Sequence, residues 1–99
     1  MVIDQGDILK VEGVKNLVLV ISKPLYNESG KIIGCPIVST EFQGTFKVPF
    51  NLEGKHFYAV SDSIKQLDVS QRGFSTKGHM PLGQLMVVID MLESIIEII

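Results

Sequence analysis

Residues 62–99 read DSIKQLDVSQRGFSTKGHMPLGQLMVVIDMLESIIEII, and the character of the sequence changes within this stretch. A short strand-like segment, residues 63–67, leads into a basic turn that contains glycine. Apolar residues then follow helical spacing, and Pro81 stands where the first turn of a helix tolerates proline. The stretch therefore predicts a strand, a turn and one long terminal helix over residues 82–99.

The polar residues of this predicted helix form a single narrow stripe. They are Asp90, Glu93, Ser94 and Glu97, and apolar side chains occupy most of the remaining circumference. A domain of this size buries only about 60 to 65% of its unfolded surface, so it cannot cover so much apolar helix alone. We predict a homodimer formed through the terminal helix and the strand domain.

The sequence before the helix is organised as short segments rich in Val, Ile and Leu, separated by turn residues. About six short strands at this spacing are typical of a small β-barrel, so the fold class is mainly β (α+β) with a long C-terminal helix. The predicted strands are two within residues 7–22, divided by Glu12 and Gly13, then residues 31–38, 44–50, 57–60 and 63–67, with turns at 27–30 and 51–55.

Composition limits the classes of function. The chain has 99 residues, which predicts one domain over residues 1–99, and its net charge of −2 requires any nucleic acid to bind a local basic patch. A single cysteine, Cys35, excludes an internal disulfide and a multi-cysteine zinc site. The start of the chain does not resemble a signal segment, and no apolar run approaches the roughly 18 to 20 residues of a membrane span. We expect a cytoplasmic protein without a membrane segment.

Three short motifs resemble the MazF/PemK (Kid-like) family of type II toxin-antitoxin toxins, in matching order. They are Gly6-Asp7-Ile8, the run LVLVIS at residues 17–22, and Tyr26-Asn27. The resemblance extends over nearly the whole chain. It implies an SH3-like β-barrel with a C-terminal helix, found as a homodimer that binds single-stranded RNA and a cognate antitoxin peptide. It also implies an endoribonuclease, or mRNA interferase, that uses no metal or other cofactor and leaves a cyclic phosphate and a 5′-hydroxyl.

The catalytic residues that the resemblance implies are a hydroxyl and an arginine. The segment CPIVST at residues 35–40 resembles the family's strand before the catalytic hydroxyl, which makes Thr40 the first candidate and Ser39 the second. The arginine position aligns with Asn16, and the adjacent cation is Lys15. Lysine offers a mobile point charge to a phosphate, whereas arginine offers a planar fork. On an extended strand, Lys15 and Asn16 would point to opposite faces.

Other residues are candidates for contact with RNA. Arg72 occupies a position where relatives also have arginine, although it can equally anchor its turn through backbone carbonyls. Lys77 and His79 lie close behind it, and a histidine there can approach a phosphate or remain a simple turn residue. We add Glu41 and Gln43, which follow Thr40.

Two departures from the family leave the function open. Besides the missing arginine, the family's long loop between the first two strands is reduced here to residues 12–14. One alternative is therefore a toxin-like dimer that binds RNA or antitoxin but cuts poorly. A further alternative is a gyrase poison resembling CcdB, which shares the barrel and terminal helix. That family's helix ends in a tryptophan-bearing or Gly-Ile tail, and this chain lacks both.

Two residues near the candidate site have expected structural roles. Asp68 can cap the turn that follows it through its carboxylate, and Leu67 should face the core. Cys35 lies in an apolar strand context, where a cysteine is most often a small buried hydrophobe.

Overall fold

The computed structural model describes residues 2–39 and 46–96. Within these ranges the chain forms a strand-rich unit that ends in a long helix. The strands are β1 (Asp7–Val11), β2 (Leu17–Val20), β3 (Lys31–Val38), β4 (Lys47–Leu52), β5 (Lys55–Val60), β6 (Lys65–Asp68) and β7 (Phe74–His79). The helices are α1 (Pro24–Asn27) and α2 (Leu82–Ile95).

All pairings in the sheet are antiparallel. The main path runs β4-β5-β3-β2-β1-β7, and β6 pairs with the first half of β3. The sheet curls until its two ends approach each other. A Cβ atom on Gly78 of β7 would lie only 2.7 Å from Cδ1 of Leu52, at the end of β4. This confirms the predicted small curled sheet with a C-terminal helix, here with seven strands.

Both faces of β1, β2 and β3 are buried, which explains why these strands show little alternation of apolar and polar residues. One face contributes to a core beneath α2, and the other contributes to a second core beneath the N-terminal segment and the β6–β7 connection. The first core contains Ile8, Leu19, Cys35, Ile37, Val48, Phe50, Ala59, Met80, Leu85 and Val88. The second contains Ile3, Leu9, Val11, Val18, Val20, Ile32 and Val69, with Leu67 packed against it.

Helix α2 begins directly after Pro81 and packs on β4. Its buried residues are Leu85 and Val88. Large apolar side chains remain exposed on its other faces: Leu82 at 70%, Met86 at 56%, Val87 at 43%, Ile95 at 46% and Ile96 at 68%. The predicted excess of apolar helix surface is therefore present in the single chain.

The structure corrects three details of the sequence prediction. Residues 74–79, assigned to the basic turn, form β7 because their backbone pairs with β1 along its whole length. The predicted turn at residues 51–55 contains only Glu53 and Gly54, whose positive φ angles of 52° and 78° match a type I′ hairpin turn. The third correction is the short helix α1, which includes Asn27, so the turn predicted at residues 27–30 occupies residues 28–30.

Candidate functional site

A cleft of about 520 Å³ lies beside the β1–β2 connection. Its walls are that connection, the central part of β3, and the segments around β6. The lining residues are Gly13, Val14, Lys15, Asn16, Val18, Gly34, Cys35, Pro36, Ser63, Lys65, Leu67 and Arg72. Among these described residues, three carry positive charge and none is acidic, so the cleft is a local basic patch in a chain of net charge −2.

Lys15 and Asn16 both line this cleft. They form a bend, and β2 begins only at Leu17. Their side chains therefore need not point to opposite faces, as successive side chains of an extended strand do. Lys10 holds the bend from β1. Its Nζ donates to the Val14 carbonyl at 2.8 Å and lies 3.5 Å from the Lys15 carbonyl oxygen. The cleft therefore contains both Asn16, at the position that aligns with the family's arginine, and Lys15, the cation beside it.

Arg72 borders the cleft from the β6–β7 connection. Its Nη1 donates to the Glu12 carbonyl at 3.3 Å, and the guanidinium lies over Gly13. A Cβ atom on Gly13, whose φ is 80°, would be 3.2 Å from Nη1. The side chain is otherwise exposed. The expected anchoring of the turn is present, and the exposed guanidinium is also available to the cleft.

The carboxylate of Asp68 organises the turn before Arg72, as expected from the sequence. Its Oδ1 accepts hydrogen bonds from the Ser70 hydroxyl at 2.6 Å, the Ser70 N–H at 3.1 Å and the Gln71 N–H at 3.2 Å. The Ser70 hydroxyl is the largest cause of a pKa of Asp68 that lies below its ordinary value. The turn is thus held by an ionised side chain next to the cleft.

Ser39 is exposed and follows the last residue of β3. β2 pairs with β3 in a register that aligns Leu17 with Ile37. The pairing ends there, and Ser39 is not among the residues that line the cleft. Thr40, Glu41 and Gln43 lie outside the described residues, so their places remain sequence predictions.

Lys77 and His79 do not share the cleft with Arg72. Lys77 borders a second cavity, and His79 pairs with Asp7 at the far end of β1, where their Nδ1 and Oδ1 atoms are 3.0 Å apart. Arg72 lies near the end of β1 that pairs with Phe74. Four residues of strand separate the two ends by about 13 Å. His79 is part of β7 and is exposed, which replaces its interpretation as a turn residue.

Cys35 is buried in the first core, although part of it lines the cleft. Burial raises the pKa of its thiol to about 12. At neutral pH the thiol is protonated, and a protonated thiol is a poor nucleophile. This agrees with the expected role of a small buried hydrophobe.

Lys65 is the cleft residue that the sequence did not indicate as functional. It pairs with Gly34 of β3, and both residues line the cleft. The sequence feature that could have indicated this place was Gly34 inside a predicted strand, since a glycine there often marks the close approach of another group.

Across residues 2–39 and 46–96, no group of three or more His, Cys, Asp or Glu side chains is arranged to hold a metal ion. Within the same ranges, neither helix has the length and apolar character needed to cross a membrane.

No family model matches the chain, and no curated protein sequence matches it significantly. Solved structures do match. A MazE–MazF crystal structure from Deinococcus radiodurans aligns with a TM-score of 0.88 at 24% identity, covering 100% of this chain and 99% of that chain. MazF from the same organism aligns with a TM-score of 0.85 at 23% identity, covering 97% of each chain. An endoribonuclease from Mycobacterial species aligns at 0.82 and 13% identity, covering 97% of this chain and 92% of that chain. The chain therefore has the fold of the MazF toxins.

Proposed function

We propose that this protein is a type II toxin of the MazF/PemK kind, an endoribonuclease that cleaves single-stranded RNA in the cytoplasm without a metal ion. The observation that carries the proposal is the basic cleft on a MazF fold, bordered by Lys15, Lys65 and Arg72. Single-stranded RNA binds to such surfaces through its phosphates. The cleft supplies the local patch that a chain of net negative charge requires.

The proposed reaction is a transesterification within the RNA, in which one phosphate is transferred from a 5′-oxygen to the neighbouring ribose 2′-oxygen. The ribose 2′-oxygen forms a bond to the adjacent phosphorus as it loses its proton. The bond from phosphorus to the 5′-oxygen then breaks, and the leaving oxygen takes up a proton. The products are a 2′,3′-cyclic phosphate and a free 5′-hydroxyl, with no other reactant required. The protein must stabilise the negative charge that develops on the phosphorane oxygens.

We assign the cationic part of this task to Lys15, with Asn16 beside it. Both line the cleft, and the Lys15 side chain is exposed, so its ammonium can meet a phosphate that binds there. The hydroxyl part falls to Thr40, with Ser39 as the second candidate. The pairing of Leu17 with Ile37 supports this assignment, because Lys15 and Ser39 each lie two residues beyond that pair. Arg72 contributes a phosphate contact, and Lys77, His79, Glu41 and Gln43 remain candidate RNA contacts.

The partners we propose are a second copy of the chain and a cognate antitoxin peptide. The exposed apolar side chains of α2 support dimerisation, since large apolar patches commonly mark interaction surfaces. The structural likeness to MazF in a complex with MazE supports an antitoxin.

The direct test incubates purified protein with a long single-stranded RNA in EDTA and labels the products with a kinase that requires 5′-hydroxyl ends. We expect labelled fragments without prior phosphatase treatment. Cleavage that stops in EDTA and returns with magnesium would contradict the proposed mechanism. A heat-denatured sample of the same preparation controls for spontaneous hydrolysis.

A second candidate is a toxin-like dimer that binds RNA or antitoxin but does not cut. It is favoured by Asn16 at the arginine position and by the short β1–β2 connection, residues 12–16, where the family has a long loop. Binding of the same RNA without fragments, measured by gel shift, would support this candidate.

A further inference from the structure

A second cavity of about 270 Å³ lies on the other side of the β1–β2 bend. Three lysines from three different strands border it: Lys10 of β1, Lys55 of β5 and Lys77 of β7. Its apolar lining consists of Leu17, Leu52 and Phe57, and Glu53 is the one acidic residue among the described lining residues. The cavity therefore combines an excess of positive charge with an apolar surface.

The aromatic ring in this lining is held in place by the core. Phe57 pairs with the buried Phe50 across β4 and β5, and their ring centroids are 6.0 Å apart. A fixed aromatic ring bordered by lysines suits a ligand with a flat base and a phosphate. Stacking on an aromatic ring accepts any base, because every base has a π-face, and lysine binds phosphate as a point charge. Inorganic phosphate alone would leave the apolar surface unused.

The second cavity and the cleft both border the β1–β2 connection. Lys10 borders the cavity and also donates to the Val14 carbonyl in the bend that lines the cleft. Leu17 borders the cavity and directly follows Asn16, which lines the cleft. The two sites thus lie on opposite sides of one bend of the chain, and the consecutive residues Asn16 and Leu17 border one site each.

We propose that the cavity between Lys10, Lys55 and Lys77 binds one nucleotide of the RNA strand whose reacting phosphate occupies the cleft. The base lies against Phe57 and Leu17, and the lysines hold the phosphate. This inference rests on the proposed function, but the site has a direct binding test of its own. It also gives Lys77 a role in RNA binding that is separate from Arg72.

The test is an NMR titration of the intact ¹⁵N-labelled protein with adenosine 5′-monophosphate, with inorganic phosphate as the comparison. We expect the nucleotide to shift the amide signals of Leu17, Phe57 and Lys77, and phosphate to shift only those near the lysines. Equal shifts from both compounds would overturn the nucleotide assignment, as would the absence of shifts at these residues.

A double variant, Lys55→Ala with Lys77→Ala, tests the lysines at two exposed positions. We expect it to lose the nucleotide-induced shifts, whereas Lys23→Ala, an exposed lysine outside the cavity, should keep them. On single-stranded RNA, the slope of log affinity against log salt should fall by about 0.7, the contribution of the one phosphate that the cavity holds. Shifts that persist in the double variant would overturn the proposal.

The two proposals fail in distinguishable ways. A protein that binds the nucleotide in this cavity but does not cut RNA refutes only the endoribonuclease. A protein that cuts RNA but shows no nucleotide-induced shifts refutes only the second site.

Discussion

The Arg72 guanidinium donates a hydrogen bond of 3.3 Å to the backbone carbonyl of Glu12. The Glu12 N–H donates in turn to the Gly73 carbonyl at 2.8 Å, so the β1–β2 and β6–β7 connections are tied in both directions. Both connections border the same cleft. The position of Lys15 and Asn16 therefore depends on a contact between segments sixty residues apart in sequence.

Replacing Arg72 separates its anchoring role from its proposed RNA contact. For Arg72→Ala we expect the slope of log RNA affinity against log salt to fall by about 0.7, the contribution of one phosphate contact on a single strand. Arg72→Lys should keep that slope and bind more weakly, because it retains the charge but loses the fork. An unchanged slope in the alanine variant, together with a lower urea midpoint, would leave only the anchoring role.

The exposed end of α2 predicts where the proposed dimer can be broken without unfolding the chain. Ile95 and Ile96 are 46% and 68% exposed, so Ile95→Glu and Ile96→Glu should leave the circular dichroism spectrum intact. Burying an isoleucine contributes about 1.5 to 3 kcal/mol, which a charge at the interface would remove. Sedimentation should show the wild type as a dimer and the variants as monomers. Glu93→Lys on the exposed polar stripe is the control, and a monomeric wild type would refute the dimer.

The turn capped by Asp68 should give a pH-dependent contribution to stability. Because the folded-state pKa of Asp68 is lowered, its contribution is present above the unfolded-state pKa of about 3.9 and is lost as pH falls. Asp68→Asn should therefore lower the urea midpoint at pH 7 and have little effect at strongly acidic pH. Asp62→Asn, an exposed position, is the control. An equal loss at both pH values would show that charge is not involved.

The sequence predicted most elements of this fold because their signals are local. Turn residues separate the strands, and helical spacing marks α2. Strand β7 was missed because FSTKGH contains few apolar residues. Its extended form depends on pairing with β1, from Asp7–His79 to Val11–Phe74, and that pairing depends on the whole sheet.

Only part of the candidate site was predicted, because the rest depends on strand pairing and not on local sequence signals. The bend at residues 15–16 and Arg72 were indicated by the family resemblance, and the fold brings them to one cleft. Lys65 was not indicated, because its place in the cleft follows from the pairing of β6 with β3. The second cavity gave no signal in the sequence, since Lys10 and Lys55 come from distant strands.

Gly34 of β3 should tolerate no side chain. A Cβ atom there would lie 2.5 Å from Cγ1 of Val18 and 2.9 Å from the Leu19 carbonyl oxygen, which is fixed in the sheet. We expect Gly34→Ala to lower the free energy of unfolding by about 1 to 3 kcal/mol, the usual cost of overpacking. Gly83→Ala is the matched control, because an added Cβ at Gly83 in α2 meets no atom within 4 Å. Urea unfolding that is unchanged in Gly34→Ala would contradict the packing argument.

The catalytic assignment predicts different effects for two adjacent residues of the bend. Lys15→Ala and Thr40→Ala should each reduce the cleavage rate by about 10² to 10³, the loss seen when one transition-state donor is removed. Asn16→Ala should have little effect, because a neutral amide stabilises developing charge less than a cation does. RNA affinity measured on the same variants separates loss of binding from loss of chemistry.

Asn16→Arg tests whether the cleft accepts the guanidinium that the MazF/PemK family uses. Asn16 is half-buried at the edge of the cleft, and arginine would bring a planar fork of donors to the position beside Lys15. We expect cleavage to rise above the wild-type rate, or to begin if the wild type does not cut. A wild type that cleaves RNA and is undiminished by Lys15→Ala would refute the role of Lys15. Attention would then move to the candidates Arg72, Lys77 and His79 and to Lys65, of which Arg72 and Lys65 border the cleft.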